Sequence, residues 1–407
     1  MSEVLSDAKP EEVGLTPAGL ARVDHAIGEM IAAKELAGAV TLVARHGKIV
    51  HRSAQGLKDI ASGEPLALDT IFRIYSMTKP VTAVAMMILH DQGLWSPDDP
   101  IAKHLPEFEG VRVFTGLGAD GALLTEAAGH PPTLRELLTH TAGFRYGFDP
   151  QDPLDAAYIA AGVWTSTSLA EMMRRLATLP LGYQPGTKWL YSLSMDVQGA
   201  IIEKLSGQTL PDFMRERIFK PLGMVDTDFF VPAEKAPRLA TLYHHSKSKG
   251  LSVMDRPLLG RDASKIPGLP SGGGGLFSTA ADYARFAQML LNKGSLGGVR
   301  ILEPASVALM TANHLSDEIL GGGHGVGLQQ IRPGYGYGFN GAVFHDPPAA
   351  GSRVGRGTYQ WDGAAGTWFW VDPEHHLLYV GLIQRMAEDG APHLQAITQQ
   401  LIAEAMG

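Results

Sequence analysis

Apolar residues recur along this chain with three different spacings, and the order of those spacings outlines a fold. From Pro17 to Ala33 they fall three and four apart behind a proline suited to a first helical turn, which predicts an amphipathic helix. Val40-Thr41-Leu42-Val43-Ala44 and Lys48-Ile49-Val50-His51-Arg52 then flank a His46-Gly47 turn, the pattern of two strands joined by a hairpin. The run from Val81 to Leu89 is interrupted only by Thr82, so it predicts a core helix that opens near Pro80 and closes at Gly93. Helical spacing dominates the middle, over Leu134–Thr139, Ser168–Leu179, Asp196–Leu205, Pro211–Ile218 and Ala280–Leu291, parted by loops rich in proline and glycine. Further on, Thr367–Val371 and Leu377–Ile383 predict strands around Asp372-Pro373-Glu374-His375, and Pro392 opens a terminal helix.

The simplest arrangement is an α+β fold. An antiparallel sheet drawn from both chain ends (1–100 and 270–407) and flanked by helices lies beside a mainly helical unit (101–269), with a cleft between them. The length, 407 residues, suits two such units better than one core. Gly272-Gly273-Gly274-Gly275 and Gly321-Gly322-Gly323 suit tight loops near a ligand, although such clusters also serve as plain turns.

Composition narrows the chemistry. Hydrophobic residues make up 45% and charged residues 19% of the chain, enough for a large core, and a net charge of −8 supplies no basic footprint for nucleic acid or an anionic membrane surface. Cysteine is absent, which removes disulfides, thiolate metal ligands and a thiol nucleophile together. The opening Met1-Ser2-Glu3-Val4-Leu5-Ser6-Asp7 has neither the basic start nor the apolar stretch of a secretory signal. No run approaches the roughly 18 apolar residues of a membrane span, so the chain reads as cytoplasmic.

Ser76-Met77-Thr78-Lys79 stands at the head of the core helix. Residues three apart share a helix face at about 5–6 Å, so the Lys79 amine can reach back to the Ser76 hydroxyl. A helix start favours an oxyanion, and burial lowers a lysine's pKa towards that of a useful base. The same S-x-x-K pattern occurs from Ser6 to Lys9 and from Ser246 to Lys249, but in polar, turn-rich stretches with no apolar helix behind them. On pattern alone, Ser76 and Lys79 fit a catalytic pair and an ordinary capped core helix equally well. Tyr191, just ahead of the helix carrying Asp196, could share the proton traffic or could simply pack. Gly363 permits close backbone approach beside a strand, where a backbone N–H could join that of Ser76 in holding a tetrahedral oxyanion; Trp361 walls a pocket or fills the core. Tyr146 and Asp196 are placed as lining or bracing the cleft.

Taken in order, Ser76-Met77-Thr78-Lys79 after Phe72-Arg73-Ile74-Tyr75, Leu137-Leu138-Thr139-His140-Thr141-Ala142-Gly143, Tyr191-Ser192-Leu193 and Trp361-Asp362-Gly363 resemble the serine β-lactamase superfamily. Within it the chain is similar to the family VIII carboxylesterases, relatives of class C β-lactamases and DD-peptidases, from about residue 10 onwards. The resemblance implies a β-lactamase-like fold, Ser76 as the acylated nucleophile, Lys79 and Tyr191 as the base pair, and the N–H groups of Ser76 and Ala364 as the oxyanion hole. Penicillin-recognising relatives carry Asn where this chain has Leu193 and Lys where it has Trp361. An indole in place of that cation suits neutral, moderately apolar esters and counts against efficient β-lactam hydrolysis.

Other motifs carry less. Gly116-Leu117-Gly118-Ala119-Asp120-Gly121 matches G-x-G-x-x-G without a helix opening after it, which argues against dinucleotide binding. His244-His245 and His375-His376 lack a metal-binding spacing and read as solvated loop histidines. No G-x-S-x-G occurs, which argues against an α/β-hydrolase. The expectation is a serine carboxylesterase without metal or cofactor, acting on small-molecule, short-chain esters. It has no nucleic-acid or membrane partner and no sequence signature of an oligomeric state. Its competitors are a β-lactamase, D-amino-acid peptidase or acyltransferase on the same scaffold, and a catalytically silent receptor.

Overall fold

The computed structural model describes residues 5–254, 262–321, 333–387 and 394–406, and a sheet drawn from both ends of the sequence lies at its centre. Strands β1 (Gly38–Arg45) and β2 (Lys48–Asp59) come from the start of the chain. Strands β3 (Tyr335–Tyr337), β4 (Ala342–Phe344), β5 (Tyr359–Asp362), β6 (Trp368–Asp372) and β7 (Leu377–Leu382) come from its end. They lie in the order β2-β1-β7-β6-β5-β4-β3, each neighbouring pair antiparallel. A short strand, Ser6–Asp7, adds in parallel outside β2.

Helices α1 (Pro17–Ala32), α2 (Thr78–Asp91), α3 (Ser194–Ser206), α4 (Ala280–Leu291) and α5 (Leu394–Ala405) pack around this sheet or beside it. Successive strand residues point to opposite faces. Ala39, Val43, Trp368, Trp370 and Tyr379 therefore meet α1 and α5 in one core, while Leu42, Phe369, Val371, Leu378 and Val380 meet α2 and α4 in the other. Both faces are covered, which is why β6 and β7 read as continuous apolar runs instead of alternating ones.

Every residue of α2 from Thr78 to Leu89 is buried. Its first turn is tied to distant segments. The Tyr283 hydroxyl of α4 donates to the Met77 carbonyl at 2.8 Å, the Leu276 N–H donates to Thr78 Oγ1 at 3.1 Å, and Thr82 Oγ1 donates to the Gly272 carbonyl at 2.7 Å. Lys79 precedes a proline yet lies inside the helix; the backbone strain falls instead at Tyr75, which takes φ of 42°.

The middle of the chain is less helical than the sequence predicts. Leu134–Leu138, Leu169–Leu176, α3 and Leu210–Met214 are helices, but Arg112–Leu117 pairs with Leu123–Ala127, and Tyr243–Ser246 with Gly250–Val253, as two hairpins. These ribbons are half exposed, so little apolar alternation marks them. His244 and His245 accordingly lie in a strand, not a solvated loop, and His245 Nδ1 sits 2.9 Å from Arg385 Nη2. The Gly116 to Gly121 segment forms the tip of the first hairpin, where no helix follows it. Pro392, Gly322 and Gly323 lie outside the described residues. Among the described residues no helix is long and apolar enough to cross a membrane, and no cluster of three or more His, Asp or Glu could hold a metal ion.

Candidate active site

Ser76 sits in a single 3-10 turn, Tyr75–Met77, that leads directly into α2. Lys79 is one turn further on, and its Nζ lies 3.0 Å from Ser76 Oγ. Tyr191, from the loop preceding α3, donates its hydroxyl to the same Oγ at 2.7 Å. Lys79 Nζ also donates to the Gly273 carbonyl at 2.7 Å and to Tyr146 Oη at 3.1 Å. A neutral amine has two N–H groups and one lone pair. With both N–H groups engaged by Gly273 and Tyr146, the lone pair is left facing the Ser76 hydroxyl. The structure thus brings together Ser76, Lys79, Tyr191 and Tyr146.

Burial drives the electrostatics of this group. It pushes Lys79 down from the ordinary lysine range to about 7, against the opposing pull of the Asp196 and Asp362 carboxylates. It pushes Tyr191 and Tyr146 upward, so both stay phenols at neutral pH, although the hydrogen bond to Ser76 works the other way on Tyr191. The Lys79 amine lies 4.6 Å from the Tyr191 ring centroid and 5.7 Å from that of Tyr146, close enough for the ring faces to stabilise a transient ammonium. Asp196 is fully buried on α3, with Oδ2 close to the space over Gly273 that Lys79 Nζ and Tyr146 Oη also border.

The turn after β5 approaches the Ser76 segment from the sheet side. A β-carbon on Gly363 would overlap the Ile74 carbonyl and Thr367 Oγ1, so glycine is what lets this turn settle against the Ser76 segment. Gly363 N–H donates to the Thr367 carbonyl at 2.7 Å, and the exposed Ala364 follows at the turn's apex. Trp361 is buried between Tyr337 and Tyr191, at 5.3 and 5.8 Å between centroids, and backs the phenol in a closely packed aromatic layer. Gly363→Ala is expected to keep the secondary structure seen by circular dichroism while lowering kcat/KM about 100-fold, because an ångström of displacement at the reacting atoms costs that much. Unchanged kinetics would show that the turn has no part in the site.

Two further residues hold the arrangement, and their sequence signals are faint. His140 takes a left-handed backbone, φ of 58°, and clasps both neighbours of Tyr191. Its carbonyl accepts from the Leu190 N–H at 3.0 Å, and its Nδ1 accepts from the Ser192 N–H at 3.1 Å. Burial, reinforced by the Lys79 charge, keeps the His140 ring well below its usual pKa and hence neutral. Asn340, also at φ of 58°, donates to the Lys79 carbonyl at 3.0 Å and to Gln198 Oε1 at 2.7 Å, bracing α2 against α3. His140 falls within the stretch from Leu137 to Gly143 that carried the resemblance, but the residue types there do not tell what it holds, and Asn340 lies in none of the four motifs. The Gly272 to Gly275 cluster was the better clue, because a β-carbon on Gly272 would run into the Met195 carbonyl.

Residues 23–403 match the family described as Beta-lactamase. The chain belongs to the beta-lactamase family. Protein Rv1367c of Mycobacterium tuberculosis is 40% identical over 371 residues, covering 88% of each chain. Esterase EstB of Burkholderia gladioli is 34% identical over 381 residues, covering 89% of this chain and 90% of EstB. Among solved structures, EstCE1, described as a hydrolase with promiscuous acyltransferase activity, superposes with a TM-score of 0.79 at 28% identity, covering 95% of this chain and 99% of its own. The resemblance to family VIII carboxylesterases drawn from the four motifs agrees with these relatives. Leu193 and Trp361, the two positions at which the motif resemblance departs from penicillin-recognising relatives, are both buried.

Proposed function

We propose that this serine hydrolase is a carboxylesterase that cleaves short-chain carboxylic esters through an acyl-enzyme on Ser76. One observation carries the reading: Ser76 Oγ, half-buried beside the aromatic rings of Tyr146 and Tyr191, lies between Lys79 Nζ at 3.0 Å and Tyr191 Oη at 2.7 Å. The Lys79 value near 7 supports the amine as general base, and the upward shift of Tyr191 supports a phenol that gives protons. Neutral Lys79 takes the Ser76 proton as Oγ bonds to the ester carbonyl carbon. The resulting oxyanion is held by the N–H groups of Ser76 and Ala364. Collapse breaks the ester C–O bond, and the departing alkoxide takes its proton from Tyr191. Lys79 then returns its proton to Tyr191. Water repeats the sequence: Lys79 accepts its proton, the hydroxide oxygen bonds to the acyl carbon, and Ser76 leaves as the hydroxyl after recovering the proton from Lys79.

The relatives support ester chemistry, since EstB is named an esterase. EstCE1's named acyltransferase activity favours a second outlet for the same intermediate, capture of the acyl group by an alcohol in place of water. Intact-protein mass spectrometry after brief exposure to p-nitrophenyl butyrate tests the reading. The expected result is a single butyryl adduct that maps to Ser76 and decays with p-nitrophenol release. Turnover with the adduct on another residue, or no adduct and no turnover, would overturn it.

A further inference from the structure

Phe148 is 62% exposed, and a lone exposed phenylalanine is ordinary. The way this one is held is not. The Phe148 and Asp149 N–H groups both donate to Asp155 Oδ2, at 3.0 and 3.1 Å, and Arg145 Nε donates to Oδ1 of the same buried carboxylate at 2.8 Å. Arg145 also pairs with Asp152 at 2.9 Å, and Asp152 caps the helix Pro153–Ala160 on which Asp155 sits. The segment from Arg145 to Asp149 is thus fastened to one helix start by a charge-assisted network.

That fixed backbone presents the Phe148 ring on top of Tyr146, with centroids 4.3 Å apart and planes 16° from parallel. Trp164 lies 10° from parallel to Tyr146 at 5.8 Å, and its Nε1 donates to the Tyr146 carbonyl at 2.8 Å. Tyr146 Oη in turn is 3.1 Å from Lys79 Nζ. An aromatic surface open to solvent therefore begins one ring away from the lysine that faces Ser76.

We propose that Phe148 is a specificity-determining residue that forms the outer wall of the substrate subsite and selects esters carrying an aromatic ring. The inference rests on the reading of Ser76 as an ester-cleaving nucleophile and adds a substrate class to it. A flat apolar group laid against the exposed ring gains offset stacking and loses water from both faces, and the pinned backbone means that no loop must be ordered for it. A small aliphatic ester has no group that extends to this wall. The ring can belong to the alcohol or to the acyl portion.

NMR titration of Ser76→Ala protein, which binds ester without forming an acyl-enzyme, separates the two sources. Benzyl acetate carries the ring on the alcohol, ethyl phenylacetate carries it on the acyl group, and ethyl acetate carries none. At least one aryl ester is expected to bind about tenfold more tightly than ethyl acetate. Adding Phe148→Ala should erase that preference, and Phe148→Tyr should retain it. Equal affinity for the three esters, or a preference that survives Phe148→Ala, overturns the proposal. Failure of wild-type protein to acylate Ser76 would instead strike the esterase reading, while the titration still decides whether Phe148 selects an aromatic ring.

Discussion

Ser76→Ala, Lys79→Ala and the double variant are each expected to lose about 10⁴-fold in kcat on p-nitrophenyl butyrate, with the double variant no worse than either single one. The reason is geometric. The amine sits 3.0 Å from the hydroxyl, and removing either partner ends the same proton transfer. Independent contributions would multiply, so a double variant far below both singles would refute the pairing. The pH dependence gives a second sign to check. Burial lowers Lys79 to about 7, and only the neutral amine can accept a proton. Wild-type kcat/KM should therefore rise as pH passes upward through about 7 and then level off, while the residual activity of Lys79→Ala should lack that limb. His140 does not mimic it, because burial holds its ring neutral well below this range. A rising limb that persists in Lys79→Ala would assign the titration to another group.

The parts of the site that lie close in sequence were legible in it; the parts that depend on distant packing were less so. Ser76 and Lys79 are three residues apart at the mouth of an apolar run, so local helical geometry alone places them in contact. The strands Trp368–Asp372 and Leu377–Leu382 were equally legible, since a sheet buried on both faces leaves long apolar runs. The hairpin Arg112–Leu117 with Leu123–Ala127 was not, because its exposed residues break the alternation a strand would show. Tyr191 stood open between proton traffic and plain packing on its residues alone, and only the resemblance gave it a role. Its position depends on His140, which acts through a left-handed backbone and bonds to the residues on either side, and no residue-type pattern encodes that. Asn340 reaches the Lys79 carbonyl across 261 positions of sequence, a contact that only the folded sheet creates.

Tyr191→Phe is expected to separate two classes of ester. Its hydroxyl donates to Ser76 Oγ at 2.7 Å, and burial raises its pKa, so at neutral pH it holds a proton to give. Ethyl butyrate must release ethoxide, a poor leaving group that needs that proton as the C–O bond breaks, and its kcat/KM should fall about 10³-fold in the variant. p-Nitrophenyl butyrate releases a stabilised phenolate that can leave unprotonated, so its loss should stay near tenfold, the share due to a missing hydrogen bond to the nucleophile. A base role for Tyr191 predicts otherwise, since attack by Ser76 precedes departure of either alcohol and both esters would suffer alike. The ratio of the two losses thus assigns the base. A large difference between the esters places proton donation on Tyr191 and proton acceptance on Lys79, while equal losses would move the base to the phenol and leave Lys79 to hold it ionised. Phenylalanine retains the ring that packs against His140 at 4.9 Å and Trp361 at 5.8 Å, so the aromatic layer stays filled while the proton is removed.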